Sequence, residues 1–140
     1  MARVSWKEYD YTAQLGPRGS YAHRPLITVE ILYKPTGEKV PVNAMIDSGT
    51  DGDVVHSSVA KALKIDPSTC QKAILGGIGT ATGFATTVTI IVPDFSVAMD
   101  ATVAFVDQLP ADALLGQRHF FQRFKIRFEK DRNKFFLAVV

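Results

Sequence analysis

The chain has 140 residues, 46% of them hydrophobic and 21% charged, and its formal net charge is +2. This length suits one compact domain with a sizeable core and leaves little room for a second. The 16 basic residues are spread along the chain, which argues against nucleic acid as the main partner. No stretch approaches the roughly 18 uninterrupted apolar residues of a membrane span, and the single cysteine, Cys70, excludes an internal disulfide. We therefore expect a soluble chain that works in the cytoplasm, with no nucleic acid and no membrane as partner.

Turn signals separate the first part of the chain from the rest. Residues 1–25 are polar and aromatic, and glycines and a proline at 16–19 interrupt any periodicity, which predicts an N-terminal arm or irregular lead-in. From Leu26 to Tyr33 the residues are β-branched and apolar. A turn signal follows at 34–37 before the apolar pattern resumes, which predicts a hairpin. The domain proper is therefore expected to span residues 26–140.

The remaining elements are predicted mostly as strands. Four segments rich in β-branched and aromatic residues are separated in pairs by polar turns. They span Thr86–Val92, Val97–Val106, Lys125–Glu129 and Phe135–Val139. Residues 57–63, with serine available as an N-cap, and residues 117–124 carry apolar side chains four apart and predict short helices. The sequence thus predicts a mostly β fold with one or two short helices.

The sharpest chemical signal is the segment Ala44–Thr50, in which an apolar strand leads directly into an acid, a serine and a glycine. A carboxylate at the end of a buried strand is costly unless it is hydrogen-bonded. Ser48, Gly49 and Thr50 supply two hydroxyls and a backbone amide close to the carboxylate of Asp47. Taken alone, the tripeptide is equally typical of an Asx-turn at the end of a strand.

A second segment, residues 74–84, places four glycines around an isoleucine before the next predicted strand. This composition suits a mobile hairpin that closes over an extended peptide. A phosphate loop is disfavoured, because Gly77 and Gly79 lack the third glycine of the dinucleotide spacing and a strand follows where a helix should begin. A flexible turn without a role in binding remains the alternative.

A third segment, Ala113–Gly116, has two leucines and a glycine leading into a predicted helix, and by itself it is typical of ordinary packing. In their order and spacing, the three segments resemble the retropepsin family, the single-lobe aspartic proteases of retroviral type and their cellular and bacterial relatives. The resemblance covers roughly residues 26–140. It implies a closed β-barrel of the single-lobe acid-protease type, with residues 75–84 as a glycine-rich flap over the substrate.

The resemblance also implies roles for individual residues. The residues expected to be catalytic are Asp47, Ser48, Gly49 and Thr50. Those expected to bind substrate are Asp51, Asp53 and the flap residues Gly76, Gly77, Ile78 and Gly79. Viral members carry an arginine directly after the glycine of the third segment, whereas this chain has Gln117, Arg118 and His119. The usual ion pair with Asp51 is therefore expected to be shifted or absent.

The catalytic motif implies a homodimer. The chain contains one Asp-Ser-Gly and no Asp-Thr-Gly, whereas acid–base hydrolysis of this kind needs two carboxylates. A residue on a two-fold axis meets its own copy, so two Asp47 carboxylates would share one proton, with the Ser48 hydroxyls bonded across the axis. We expect an aspartic endopeptidase that cleaves extended peptides or proteins at apolar sites, with a bell-shaped pH profile below neutrality.

No metal and no other cofactor is predicted. Asp47, Asp51 and Asp53 have the alternate spacing of a calcium loop, but Gly49 occupies a ligand position and Ser58 stands where the bidentate glutamate belongs. The three histidines are too scattered to predict a zinc site. The alternative to a protease is a catalytically silent module of the same fold that binds peptides or dimerises. The intact Asp-Ser-Gly triplet counts against that alternative.

Overall fold

The computed structural model describes residues 3–77 and 79–140, and within them the chain forms twelve strands and two short α-helices. The strands are β1 (Lys7–Asp10), β2 (Thr12–Leu15), β3 (Tyr21–Arg24), β4 (Leu26–Tyr33), β5 (Glu38–Ile46), β6 (Asp53–His56), β7 (Gln71–Gly77), β8 (Gly79–Val92), β9 (Val97–Val106), β10 (Ala113–Leu115), β11 (Phe124–Glu129) and β12 (Lys134–Val139). The helices are α1 (Ser57–Ala62) and α2 (Phe120–Arg123). The prediction of a mostly β fold is confirmed.

Six of the strands close into a barrel. They pair in the order β4-β5-β10-β6-β9-β8, and a further antiparallel pairing of β8 with β4 closes the ring. Closure removes the open edges that a flat sheet would expose. Two pairs within the ring, β5 with β10 and β6 with β9, run parallel. The predicted closed barrel is thus confirmed, and its parallel pairs place the ends of β5 and β10 side by side.

Alternating side chains build the core. Along β9 the odd-numbered residues from Val97 to Phe105 are buried, while their neighbours are mostly exposed. Burial of each large aliphatic or aromatic side chain contributes roughly 1.5–3 kcal/mol. The strands predicted at Leu26–Tyr33 and Val97–Val106 occur with the same bounds, because β-branched composition and the flanking turn signals are local properties of the sequence.

The N-terminal residues differ from the predicted irregular lead-in. Strand β1 pairs antiparallel with β12, and β2 and β3 form a hairpin. The ring of Tyr9 stacks on that of Phe135 at a centroid separation of 5.0 Å, and Phe135 is fully buried. The sequence pattern missed β1 because its partner lies at the other end of the chain, and strand formation depends on such partners. The domain boundary at residue 25 stays a prediction.

The glycine-rich segment forms a long antiparallel hairpin of β7 with β8. Its register runs from Gln71 opposite Ala85 to Gly77 opposite Gly79. Strand β8 therefore begins seven residues before the predicted Thr86, because the hairpin pairing continues into the barrel strand. Ile78 lies outside the described residues.

Both helices are close to their predicted positions but differ in detail. Helix α1 is capped by His56, whose Nδ1 accepts a hydrogen bond from the backbone N–H of Ser58 at 3.1 Å, and not by a serine hydroxyl. Helix α2 begins at Phe120, three residues later than predicted. The residues before it donate their backbone N–H groups to another loop, as described below. In the described part of the chain, no helix has the length and apolar character needed to cross a membrane.

Candidate active site

Asp47 directly follows β5, where β5 runs parallel to β10. The register places Ile46 opposite Leu115, so Asp47 and Gly116 lie side by side at the end of the pair. The backbone N–H of Asp47 donates to the carbonyl of Leu115 at 2.9 Å, which extends the ladder by one residue. Ile46 and Leu115 are 3% and 2% exposed. A buried strand pair thus delivers the half-buried Asp47 to the surface.

Two donors hold the Asp47 carboxylate, one on each oxygen. The backbone N–H of Gly49 donates to Oδ1 at 2.9 Å, and the hydroxyl of Thr50 donates to Oδ2 at 2.9 Å. The first bond alone is the Asx-turn expected of such a tripeptide. The second bond goes beyond an Asx-turn, because it fixes the plane of the carboxylate. An ionised carboxylate has about four acceptor positions, so both oxygens keep capacity for another partner.

The loop after Asp47 is bonded to the segment after β10. Gln117 donates its backbone N–H to the carbonyl of Thr50 at 2.8 Å, and Arg118 donates its own to the carbonyl of Asp51 at 2.7 Å. The Gln117 side-chain amide also donates to the carbonyl of Ser48 at 2.7 Å. These three bonds tie the residues before α2 to the Asp47 loop.

Gly116 is required by close packing of backbone against backbone. A Cβ atom at this position would lie 2.3 Å from the carbonyl oxygen of Thr50 and 2.4 Å from that of Gly52. No side chain fits such a space without movement of the loop. The third sequence motif therefore owes its glycine to contact with the Asp47 loop.

Asp53 differs from the expectation that it lines the cleft. It is 3% exposed, and its Oδ1 accepts the backbone N–H of Gly116 at 3.0 Å. Its Oδ2 lies 2.7 Å from Nδ1 of His119. Asp51 has no ion pair among the described residues, whereas Asp53 is in contact with His119. No sequence pattern predicted a role for His119; its position three residues after Gly116 was the available signal.

A cavity of about 420 Å³ separates the Asp47 loop from the β7–β8 hairpin. Thr50 and Asp51 line it on the loop side, and Gly76 lines it on the hairpin side. Apolar side chains that also line it are Val54, Leu75, Val106, Leu109 and Leu114. Gly77 and Gly79 form the last pair of the hairpin, and Ile78 between them is outside the described residues. Across residues 3–77 and 79–140, no three His, Cys, Asp or Glu side chains cluster in a way that could bind a metal.

Comparisons with known proteins identify the family and the fold. A family model described as aspartyl protease matches residues 28–118. No curated protein matches significantly. Among solved structures, a retropepsin-like aspartic protease from Rickettsia conorii has a TM-score of 0.60 and 16% identity, with 99% of this chain and 97% of that chain covered. The EIAV protease complexed with the inhibitor HBY-793 has a TM-score of 0.50 and 26% identity, with 66% of this chain and 81% of that chain covered.

The matched family segment covers more than half of the chain and contains both the Asp47 motif and Gly116. The solved structures add the fold, since their chains have the same overall fold as this one. The chain therefore belongs to the aspartyl protease family and has the retropepsin-like fold.

Proposed function

We propose that the chain is an aspartic endopeptidase that acts as a homodimer, with one Asp47 from each copy in a shared active site. The observation that carries this proposal is the Asp47 carboxylate, held in plane by Gly49 and Thr50 next to a cleft with both polar and apolar side chains in its lining. A carboxylate so oriented, with acceptor capacity remaining, is suited to binding and activating a water molecule.

The second copy supplies the second carboxyl group that the reaction needs. The described residues contain one carboxylate of this kind, and peptide hydrolysis by this route needs a base and an acid together. Ser48 is exposed next to Asp47, where its hydroxyl would bond across the two-fold axis. Two carboxylates about 3 Å apart cannot both ionise at low cost, so the pair holds one proton.

The reaction then follows from proton positions. The ionised Asp47 takes a proton from the bound water, whose oxygen attacks the carbonyl carbon of the peptide bond. The protonated Asp47 of the second copy gives its proton to the carbonyl oxygen, and a tetrahedral diol forms. The first carboxyl next protonates the amide nitrogen, the C–N bond breaks, and the diol returns its proton to the second carboxylate as the product carboxyl group forms. Both carboxyls end in their starting states.

The β7–β8 hairpin is proposed as a flap over an extended peptide. Gly76, Gly77, Ile78 and Gly79 would offer backbone groups to the substrate, which would pair like an added strand. The apolar lining of the cleft favours hydrophobic side chains on either side of the cut bond. Asp51, exposed in the same cleft, would bond the substrate backbone. The cytoplasm as the place of action stays a prediction.

The first experiment measures cleavage of an unbiased peptide library between roughly pH 3 and pH 8. Wild type, Asp47→Asn and Asp131→Asn are compared. Asp131 lies in the exposed turn after β11, so Asp131→Asn is the matched control that removes a carboxylate far from Asp47 in sequence. We expect cleavage at apolar sites that Asp47→Asn abolishes and Asp131→Asn retains. No cleavage by a folded dimer at any pH would instead favour the silent binding module.

A mixing experiment tests whether two chains share one site. Wild type and Asp47→Asn are combined in equal amounts, unfolded and refolded together. If each active site needs two intact Asp47 residues, activity falls to about one quarter of that of the same total amount of wild type. If each chain works alone, it falls only to about one half, and the shared-site proposal is wrong.

A further inference from the structure

A buried carboxylate that the proposed reaction does not use lies beneath the Asp47 loop. The side chain of Asp53 is 0% exposed, and that of His119 is 22% exposed. Both oxygens of Asp53 are occupied, one by the Gly116 N–H at 3.0 Å and one by His119 Nδ1 at 2.7 Å. Burial of a carboxylate is costly unless such partners are present. An ionised carboxylate only accepts hydrogen bonds, so in the ionised form of Asp53 the donor in this contact is Nδ1 of His119.

The Asp53–His119 contact is connected to Asp47 by two short sets of hydrogen bonds, both of which pass through the turn at Gly116. Leu115, which precedes the turn, accepts the backbone N–H of Asp47 at 2.9 Å. Gln117, which follows it, donates its backbone N–H to Thr50 at 2.8 Å, and the Thr50 hydroxyl holds Oδ2 of Asp47. A shift of the turn therefore moves both the backbone of Asp47 and one of the two donors on its carboxylate.

The ring of His119 has no competing structural use in helix α2. His119 is the N-cap residue of that helix, yet its side chain makes no capping hydrogen bond. The ring instead points to Asp53, across 66 residues of sequence. Within the described residues, the His119 ring thus has its polar contact with Asp53, whose other oxygen accepts the N–H of Gly116.

We propose that His119 is a positioning residue for Asp47, acting through Asp53 and the Gly116 turn. The inference rests on the proposed function, because it assigns His119 a part in placing the carboxylate that the reaction uses. His119 does not touch the reacting atoms, so its effect is on the rate of the chemical step and not on substrate affinity.

The test compares His119→Leu with His119→Asn. Leucine has a side chain of similar bulk but no hydrogen-bond donor, whereas the asparagine amide can place an N–H near the position of Nδ1. We expect His119→Leu to lower kcat by about 10- to 100-fold with KM changed by less than about threefold, as for misplacement of a catalytic group. We expect His119→Asn to recover kcat to within about threefold of wild type. Equal kcat per folded dimer in all three proteins would overturn the inference.

Hydrogen exchange provides a readout that does not depend on activity. In His119→Leu, the amides of Gly116 and Gly49 should exchange at least about tenfold faster, while that of Ile90, which is buried in β8 and paired with both β4 and β9, stays unchanged. Unchanged exchange at Gly116 and Gly49, or equal acceleration at all three amides, would show that His119 does not position the site. If wild type cleaves no peptide, the proposed function fails, and the exchange rates still decide whether His119 orders the Asp47 loop.

Discussion

Replacement of Gly116 by alanine tests whether the turn after β10 sets the position of the Asp47 loop. The added Cβ would lie 2.3 Å from the Thr50 carbonyl oxygen, and ordinary contact begins near 3.4 Å. The loop or the turn must therefore move by about 1 Å, because the clashing atoms are backbone and cannot rotate away.

The expected magnitudes follow from this displacement. Overpacking of a closely packed site costs about 1–3 kcal/mol of unfolding free energy. A displacement of about 1 Å at a catalytic group costs on the order of 100-fold in rate. Since the loop carries both Thr50 and Asp47, we expect Gly116→Ala to have a lower kcat per folded molecule than wild type, in addition to its lower free energy of unfolding.

Urea unfolding and peptide cleavage are measured on the same preparations, with Gly52→Ala as the matched control. Gly52 lies in the same loop, but an added Cβ would meet only the flexible Arg118 side chain at 3.8 Å, which is ordinary contact. We expect Gly52→Ala to change the unfolding free energy by less than about 0.5 kcal/mol. Equal losses in the two variants, or full stability and activity in Gly116→Ala, would refute the packing argument.

Two further predictions concern single hydrogen bonds. Thr50→Val removes the hydroxyl that donates to Oδ2 of Asp47 and should lower kcat by about tenfold in the cleavage assay. Thr50→Ser keeps a hydroxyl at this position, and its kcat should stay near that of wild type. Equal kcat in the two variants would contradict this prediction. Burial and a hydrogen bond to Asp94 raise the pKa of Tyr9, and the same bond, with Lys7 nearby, lowers the pKa of Asp94. A carboxyl group whose pKa is lower in the folded than in the unfolded chain stabilises the fold at pH values above its unfolded pKa of about 4. This stabilisation is lost as the pH falls through the folded pKa. In urea unfolding, Tyr9→Phe should therefore lower the free energy of unfolding by at most about 1 kcal/mol at pH 7 and by less at pH 3. An equal loss at both pH values would contradict a role for the Tyr9–Asp94 hydrogen bond in stability.

Local pattern in the sequence was sufficient for most of the barrel. Runs of β-branched and apolar residues bounded by turn signals predicted the strands from Leu26 to Tyr33 and from Val97 to Val106 with their observed bounds. The Asp-Ser-Gly-Thr segment predicted donors for the Asp47 carboxylate, and Gly49 and Thr50 supply them. The donors were predictable because they lie within three residues of Asp47, where chain geometry alone limits the possible contacts.

Contacts between distant parts of the chain were decided only by the tertiary structure. Strand β1 pairs with β12, more than 120 residues away, and no local pattern marks it. Asp53 was expected in the cleft because a short sequence interval does not tell which side of a barrel wall a residue faces. Its burial depends on Gly116 and His119, which are 63 and 66 residues away. The sequence by itself therefore determined the strands and the groups around Asp47, whereas the closure of the barrel decided which distant residues support them, because packing partners are set by topology and not by neighbouring residues.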